Sequence, residues 1–200
     1  MIALALSLVT GNVATDAPHA SPHSTIEEVM LSPLYRQAFV CSQHPQGQLK
    51  YKGDALGQDC MIIGGIDERN EASGGYPRLF RNDGTHNEDW FGWGAELLAP
   101  FDGTVKKVSI NPVVNAPGTL GKPPASIIVF EDREGTDVLY AHVQNVKVKA
   151  GDHVAAGQVV ARVGNNGMAR APHTHIGAWH GETPLQIRWD LRAMGKLVSG

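Results

Sequence analysis

Glycine and proline interrupt this sequence so often that a long helix has little room to form. The chain has 200 residues, of which 23 are glycine and 12 are proline. In a helix interior, glycine costs about 1 kcal/mol and proline about 3 kcal/mol relative to alanine, whereas both are common in turns between short strands. The sequence therefore predicts one mainly β domain with an irregular extension.

The charge balance and the composition indicate which class of binding partner to exclude and whether the chain folds. Lysine and arginine total 17 against 20 for aspartate and glutamate, and no part of the chain gathers the cations into a stripe. This balance argues against nucleic acid as a partner. A hydrophobic content of 42% with 18% charged residues is typical of a folded chain.

The N-terminal region predicts export to the periplasm or the cell exterior. Met1–Val9 is an apolar run that resembles the core of a secretory signal, although an apolar first strand is the alternative. The run is too short to form a stable membrane span. We divide the chain into a signal-like segment with a flexible lead-in over 1–24, an N-terminal extension over 25–79 and the main domain over 80–200.

The N-terminal extension contains both cysteines of the chain, Cys41 and Cys60. In an exported protein, two cysteines without a Cys-x-x-Cys pattern predict a disulfide rather than a metal site. Two free thiols are the alternative. His44, beside Pro45, is interpreted as a loop residue.

Turn signals divide the chain into short elements. Capping patterns predict short helices from Ile26 to about Pro33 and from Pro184 to about Met194. The proline-rich stretch 111–125 is predicted to be a loop. The predicted strands are Ala38–Val40, Cys60–Ile66, Leu97–Ala99, Thr104–Ile110, Ser126–Glu131, Val138–His142, Val146–Val148, Val159–Val163 and Thr174–Trp179. Such a series favours an antiparallel sheet or a barrel-like sandwich.

Histidines carry the chemistry that the sequence suggests. Residues two apart on a strand share a face, so His173 and His175 are predicted to lie side by side. His142 ends another predicted strand, and His86 lies in a polar loop close to Asp89. Two histidines and a carboxylate form the three-ligand set of a catalytic zinc ion, which keeps a fourth position for water.

Several motifs occur together with these histidines. They are, in chain order, His86 with Asp89-Trp90, Ala99-Pro-Phe-Asp-Gly-Thr-Val105, Tyr140-Ala-His-Val143, Gly151-Asp-His-Val-Ala-Ala-Gly-Gln158, Gly164-Asn-Asn-Gly167 and Pro172-His-Thr-His175. In this order they resemble the lysostaphin-like, or LytM-type, zinc metallopeptidases over about residues 80–182. The resemblance implies the antiparallel fold of that family, the duplicated hybrid motif, to which the capping patterns add short terminal helices.

The resemblance also implies roles for single residues. His86, Asp89 and His175 would bind one Zn²⁺ ion per chain, and His142 and His173 would flank the attacking water and the developing oxyanion. Which of those two histidines acts as the base stays open. The family separates its first histidine and aspartate by four positions, whereas three separate His86 from Asp89, so Glu88 is the alternative carboxylate.

The implied function is an exported zinc metalloendopeptidase that hydrolyses peptide bonds of bacterial cell-wall peptidoglycan through a zinc-bound water. Peptidoglycan peptides would then be its partners. The alternative is an inactive peptidase-like module that binds cell-wall material or regulates another wall hydrolase. A lipoyl-type carrier is set aside, because Asn165 and Asn166 stand where such a carrier needs a modifiable lysine.

Overall fold

The computed structural model describes residues 25–51, 53–65 and 76–198, so the signal-like segment 1–24 lies outside the described residues. The described chain forms strands and a single α-helix, as follows: β1 Glu28–Leu31, β2 Phe39–Gln43, β3 Gln58–Ile62, β4 Glu96–Leu98, β5 Gly103–Ser109, β6 Ile127–Asp132, β7 Thr136–Ala141, β8 Val143–Gln144, β9 His153–Val154, β10 Val159–Val163, β11 Thr174–His180, β12 Thr183–Pro184, β13 Gln186–Trp189 and α1 Leu191–Val198. Among the described residues, no helix is long and apolar enough to cross a membrane.

A large, mostly antiparallel sheet dominates the fold. Its strand order is β2-β3-β11-β7-β6-β5-β9, with β12 paired to β11, and a smaller sheet has the order β4-β10-β8. The expected mainly β, antiparallel architecture is confirmed, and the sheets formed by the described residues do not close into a barrel. Strands β2 and β3 come from the N-terminal extension and hydrogen-bond into the same sheet as β11.

Alternation along the strands separates the core from the other face of the large sheet. On β11, Ile176 and Ala178 are fully buried in the hydrophobic core, together with Tyr140 of β7. Because successive side chains of a strand point to opposite faces, His175 and Gly177 lie on the face away from this core. That face of β11 is also buried, so another part of the chain must cover it.

The loop between β2 and β3 provides this cover. A Cβ atom on Gly53 would overlap the Trp179 ring, and one on Gly177 would collide with the carbonyl oxygen of Gly53. Only glycine at both positions lets the two backbones approach so closely. The loop between β2 and β3 therefore lies directly over the histidine-bearing strand β11, whereas β3 itself pairs beside it.

We expect Gly177→Ala to destabilise the protein by about 1–3 kcal/mol, because its new methyl group must displace the backbone of Gly53. Urea unfolding measures this loss. Gly195→Ala is the matched control, since the added carbon would meet no described atom within 4 Å beyond its chain neighbours and its own helix backbone, and alanine is the better helix former in α1. Equal stability of Gly177→Ala and the wild type would contradict the close approach.

Both predicted helices need correction. The N-terminal capping pattern leads into strand β1, because Glu28–Leu31 pairs in parallel with Gln186–Trp189 and buries Leu31. The C-terminal helix begins at Leu191 rather than Pro184, and the Asp190 carboxylate accepts a hydrogen bond from the Arg192 backbone N–H at 2.9 Å. Pairing between distant segments thus outweighs the local capping signal.

One predicted strand also needs correction, whereas the predicted loop is confirmed. Val146–Val148 is not a strand, because β8 ends at Gln144; the two valines instead pack against the core from a loop. Residues 111–125 contain no helix or strand.

Candidate metal centre and catalytic histidines

Asp59 and His175 form the centre of a polar group on the covered face of the large sheet. The two residues are direct partners in the antiparallel register of β3 and β11. Directly opposite residues point to the same face and lie close together. The result is a distance of 2.8 Å between His175 Nδ1 and Asp59 Oδ1.

His44 completes a group of three possible metal ligands. It follows β2, and its backbone N–H donates to the carbonyl of Gly57 at 2.8 Å, which closes the hairpin loop. Its Nε2 atom lies 3.3 Å from Asp59 Oδ2. One ligand atom from each of His44, Asp59 and His175 lies within 4.8 Å of the others. Two nitrogen donors and one carboxylate oxygen form a set that suits zinc.

The His44 ring provides an independent test of this fit. Its Nδ1 atom lies 3.3 Å from Gln48 Oε1. Its Nε2 atom is buried and makes no hydrogen bond among the described residues, although Asp59 Oδ2 is 3.3 Å away, because the direction of approach is unsuitable. A buried polar atom without a partner loses its hydrogen bonds with water at a cost of about 1–3 kcal/mol. A cation bound by Nε2 would remove this cost, so the residues present fit a metal ion.

Two carboxylates enclose the His175 ring. Nδ1 faces Asp59, and Nε2 lies 2.9 Å from Asp54 Oδ1. Burial alone lowers the pKa of His175, but hydrogen bonds with Asp54 and Asp59 outweigh it and raise the pKa to about 9. Burial likewise raises the pKa of Asp59, yet hydrogen bonds with His173 and His175 hold that pKa well below its ordinary value. The pocket therefore favours an ionised carboxylate and positive charge beside it.

His142 and His173 lie next to this group, with ring centroids 4.6 Å apart. His142 Nδ1 is 2.7 Å from the carbonyl oxygen of Asn166, and His173 Nδ1 is 2.8 Å from that of Ala171. A carbonyl oxygen only accepts hydrogen bonds, so both Nδ1 atoms carry hydrogen. In a neutral ring the lone pair then belongs to Nε2. When the His173 ring carries a second proton, its Nε2–H can donate to Asp59 Oδ1, which lies 3.5 Å away.

The backbone of His142 has an unusual conformation. Its φ angle is +64°, a left-handed value that few residues other than glycine adopt. Burial lowers the pKa of the His142 ring to about 3, and the neighbouring His173 ring contributes to the lowering. A neutral imidazole at a strained backbone position beside two further histidines is typical of a functional site.

The structure divides the ligand set that the motifs predicted. His175 groups with His44 and Asp59, whereas His86 and Asp89 form a separate group with Asp83. In the described structure, His86 and Asp89 therefore do not lie with His175 in one group, as the motifs predicted. Glu88, the alternative carboxylate, is exposed and belongs to neither group of described residues.

Hydrogen bonds within the surrounding loop explain the position of the Asp89 carboxylate. One carboxylate oxygen accepts a hydrogen bond from Asn82 Nδ2 at 2.6 Å, and the other accepts one from the His86 backbone N–H at 3.2 Å. These bonds close the short turn Asn87–Asp89. The His86 side chain is 79% exposed, so its ring extends into solvent. Within the described chain, this pair organises a loop.

Sequence reasoning missed His44, Asp54 and Asp59. All three lie in the extension where no family motif was recognised. The cysteine pair was the available signal, because a bond between Cys41 and Cys60 on neighbouring strands places His44 and Asp59 near the same end of a hairpin. The predicted disulfide is present between these two cysteines.

An antiparallel sheet with two histidines and a carboxylate on one face suits a metal-dependent hydrolase. Residues 90–187 match the sequence profile of Peptidase family M23. This part of the chain therefore belongs to peptidase family M23, which confirms the resemblance predicted from the motifs. The matched region contains His142, His173 and His175, whereas His44 and Asp59 lie outside it.

Comparison with known proteins finds further similarity. An uncharacterized metalloprotease of Haemophilus influenzae is 35% identical over 82 residues, which are 41% of this chain and 15% of that protein. The catalytic domain of the prophage-encoded M23 protein EnpA from Enterococcus faecalis, in a mutant form, is 20% identical with a TM-score of 0.46, covering 75% of this chain and 87% of the other. The lysostaphin catalytic domain from Staphylococcus simulans is 17% identical with a TM-score of 0.43, covering 74% and 87% respectively.

Proposed function

We propose that this chain is an exported zinc metalloendopeptidase that hydrolyses peptide bonds of bacterial cell-wall peptidoglycan. The observation that carries the proposal is the convergence of His44, Asp59 and His175 beside His142 and His173. Two imidazole nitrogens and one carboxylate oxygen are typical protein ligands of a catalytic zinc ion, which keeps a further position open for the reaction.

We assign the zinc ligands to His44, Asp59 and His175, in place of the set that included His86 and Asp89. His44 would bind through Nε2, its buried nitrogen without a partner, and His175 through Nδ1, which faces Asp59. When bound, zinc would act as a Lewis acid on the scissile carbonyl and lower the pKa of water toward about 7.

His142 and His173 would perform the proton transfers. Both rings present Nε2 as the nitrogen that can accept a proton, because backbone carbonyls hold both Nδ1 hydrogens. One ring can accept the proton of the attacking water, and the other can donate a hydrogen bond to the oxyanion once its Nε2 is protonated. The rings lie 4.6 Å apart, which allows both to act on one peptide bond.

Export and a wall substrate follow from two further features. The Cys41–Cys60 disulfide is typical of proteins in oxidising compartments. The motifs around His142, His173 and His175 resemble those of enzymes that cleave peptidoglycan, and they lie within the M23 region. The β2–β3 hairpin builds one wall of the proposed site, so we assign the N-terminal extension to the peptidase unit.

We expect His142→Asn to retain stoichiometric zinc and to lower peptidoglycan cleavage by about 10²–10⁴-fold, the usual contribution of a proton-transferring residue. Asparagine tolerates the positive φ of this position, so the fold should be kept. The test combines elemental analysis of the purified full chain with mass spectrometry of the muropeptides that it releases.

His153→Asn is the matched control for this experiment. His153 is exposed and contacts Thr104 away from the proposed centre, so its variant should behave as the wild type. A folded wild type that contains no zinc when supplied with it, or releases no new peptide ends, would overturn the proposal. If such a protein also sedimented with peptidoglycan, the binding-module alternative would take its place.

A further inference from the structure

Nε2, the second nitrogen of the His175 ring, faces a carboxylate that belongs to none of the sequence motifs. Asp54 Oδ1 lies 2.9 Å from His175 Nε2, and only 7% of Asp54 is exposed. Burying a carboxylate costs several kcal/mol unless a charged or hydrogen-bonding group compensates it. Among the described residues, His175 is the group that does so.

The hairpin loop holds Asp54 firmly in this place. The Asp54 N–H donates to the carbonyl of Tyr51, and the Asp54 carbonyl accepts from the Gly57 N–H, both at 3.0 Å. A Cβ atom on Gly57 would lie 3.1 Å from Cε1 of the His175 ring. The loop thus passes close to the imidazole edge between the two nitrogens and leaves no room there for a side chain, while Asp54 contacts Nε2 itself.

The carboxylates of Asp54 and Asp59 lie beside different nitrogen atoms of the His175 ring. The two lone-pair directions of an imidazole diverge, so an ion bound at Nδ1, beside Asp59, cannot also take Nε2. Nε2 then carries a hydrogen that it donates to Asp54. Metal-binding histidines commonly donate their other N–H to a carboxylate, which fixes the tautomer and strengthens the ligand nitrogen.

We propose that Asp54 is a positioning residue that orients His175 and strengthens its Nδ1 as a metal ligand. This inference rests on the proposed zinc site and deepens it. The other histidine of the site has a weaker counterpart, since His44 Nδ1 faces the neutral amide of Gln48 at 3.3 Å. Of the two proposed ligand histidines, His175 on the central strand β11 is thus the one whose second nitrogen faces a charged group.

The test measures metal affinity in the full chain, with Zn²⁺ in competition with a chromophoric chelator and with Co²⁺ as a spectroscopic probe. We expect Asp54→Ala to weaken Zn²⁺ binding by about 10–100-fold, the usual effect of removing such a partner. Asp54→Asn should lose less, because its amide oxygen can still accept the hydrogen bond. The Co²⁺ absorption of both variants should keep its intensity, because the number of ligands does not change.

Two controls separate the possible outcomes. Asp83→Asn, in the exposed loop group, should bind Zn²⁺ as the wild type does. Asp54→Ala with unchanged Zn²⁺ affinity, alongside loss of binding in His44→Ala, would overturn the positioning role and leave the proposed function intact. A Co²⁺ spectrum showing one ligand fewer in Asp54→Asn would overturn it as well, since Asp54 would then be a ligand. Failure of the wild type to bind either ion would remove the proposed function itself.

Discussion

We expect His44→Ala to weaken Zn²⁺ binding at the proposed centre strongly, whereas His86→Ala should bind Zn²⁺ as the wild type does. The reason is that His44 Nε2 lies in the group with Asp59 and His175, and the His86 ring is largely exposed in another group. Apparent zinc-binding free energies of structural sites with four protein ligands are about 10–16 kcal/mol, so one ligand is worth about 2.5–4 kcal/mol. This corresponds to a loss of roughly 10²–10³-fold in affinity.

The measurement is a Zn²⁺ titration of each metal-stripped variant, with thermal unfolding to verify that it is folded. Both substitutions remove one imidazole from a loop, so they are matched in size, and thermal unfolding accounts for the greater burial of His44. Asp59→Asn and Asp89→Asn repeat the comparison for the carboxylates. Loss of zinc in His86→Ala together with its retention in His44→Ala would restore the ligand set that the motifs first suggested.

Local pattern was sufficient to predict most strands, because alternation and turn residues are properties of short segments. Val159–Val163 was predicted with the bounds that β10 has in the structure. The pattern was insufficient at the two helix predictions. Thr25 to Glu28 has the form of a capping box, but the pairing of β1 with β13 joins segments more than 150 residues apart. No local signal contains that information.

The sequence predicted those residues of the candidate site that lie within family motifs, but not those that lie outside them. The motifs indicated His142, His173 and His175, and the structure brings these three rings together. They also indicated His86 and Asp89, which the structure places in a separate group with Asp83. His44 and Asp59 have no local signature, since they meet only when the hairpin pairs with β11.

Removing the disulfide will weaken zinc binding as well as the fold. Cys41 and Cys60 are opposite each other on β2 and β3, and the next pair of the ladder contains Asp59. Strand β2, which leads directly to His44, is an edge strand, so the described chain pairs it only with β3. Closing a loop of this length is worth about 3 kcal/mol through the entropy of the unfolded chain. The double variant Cys41→Ala/Cys60→Ala should lose about that much stability in urea.

The expected loss of Zn²⁺ affinity in the double cysteine variant has a different cause from its loss of stability, so it needs a separate control. Without the crosslink, fraying of β2 moves His44 away from Asp59, so zinc binding must also restore the hairpin, which lowers the apparent affinity. Leu98→Ala provides a matched loss of about 2–5 kcal/mol from a fully buried residue of the smaller sheet. It should retain the wild-type Zn²⁺ affinity. Equal affinities in the double cysteine variant and the wild type would show that the hairpin holds His44 beside Asp59 without the crosslink.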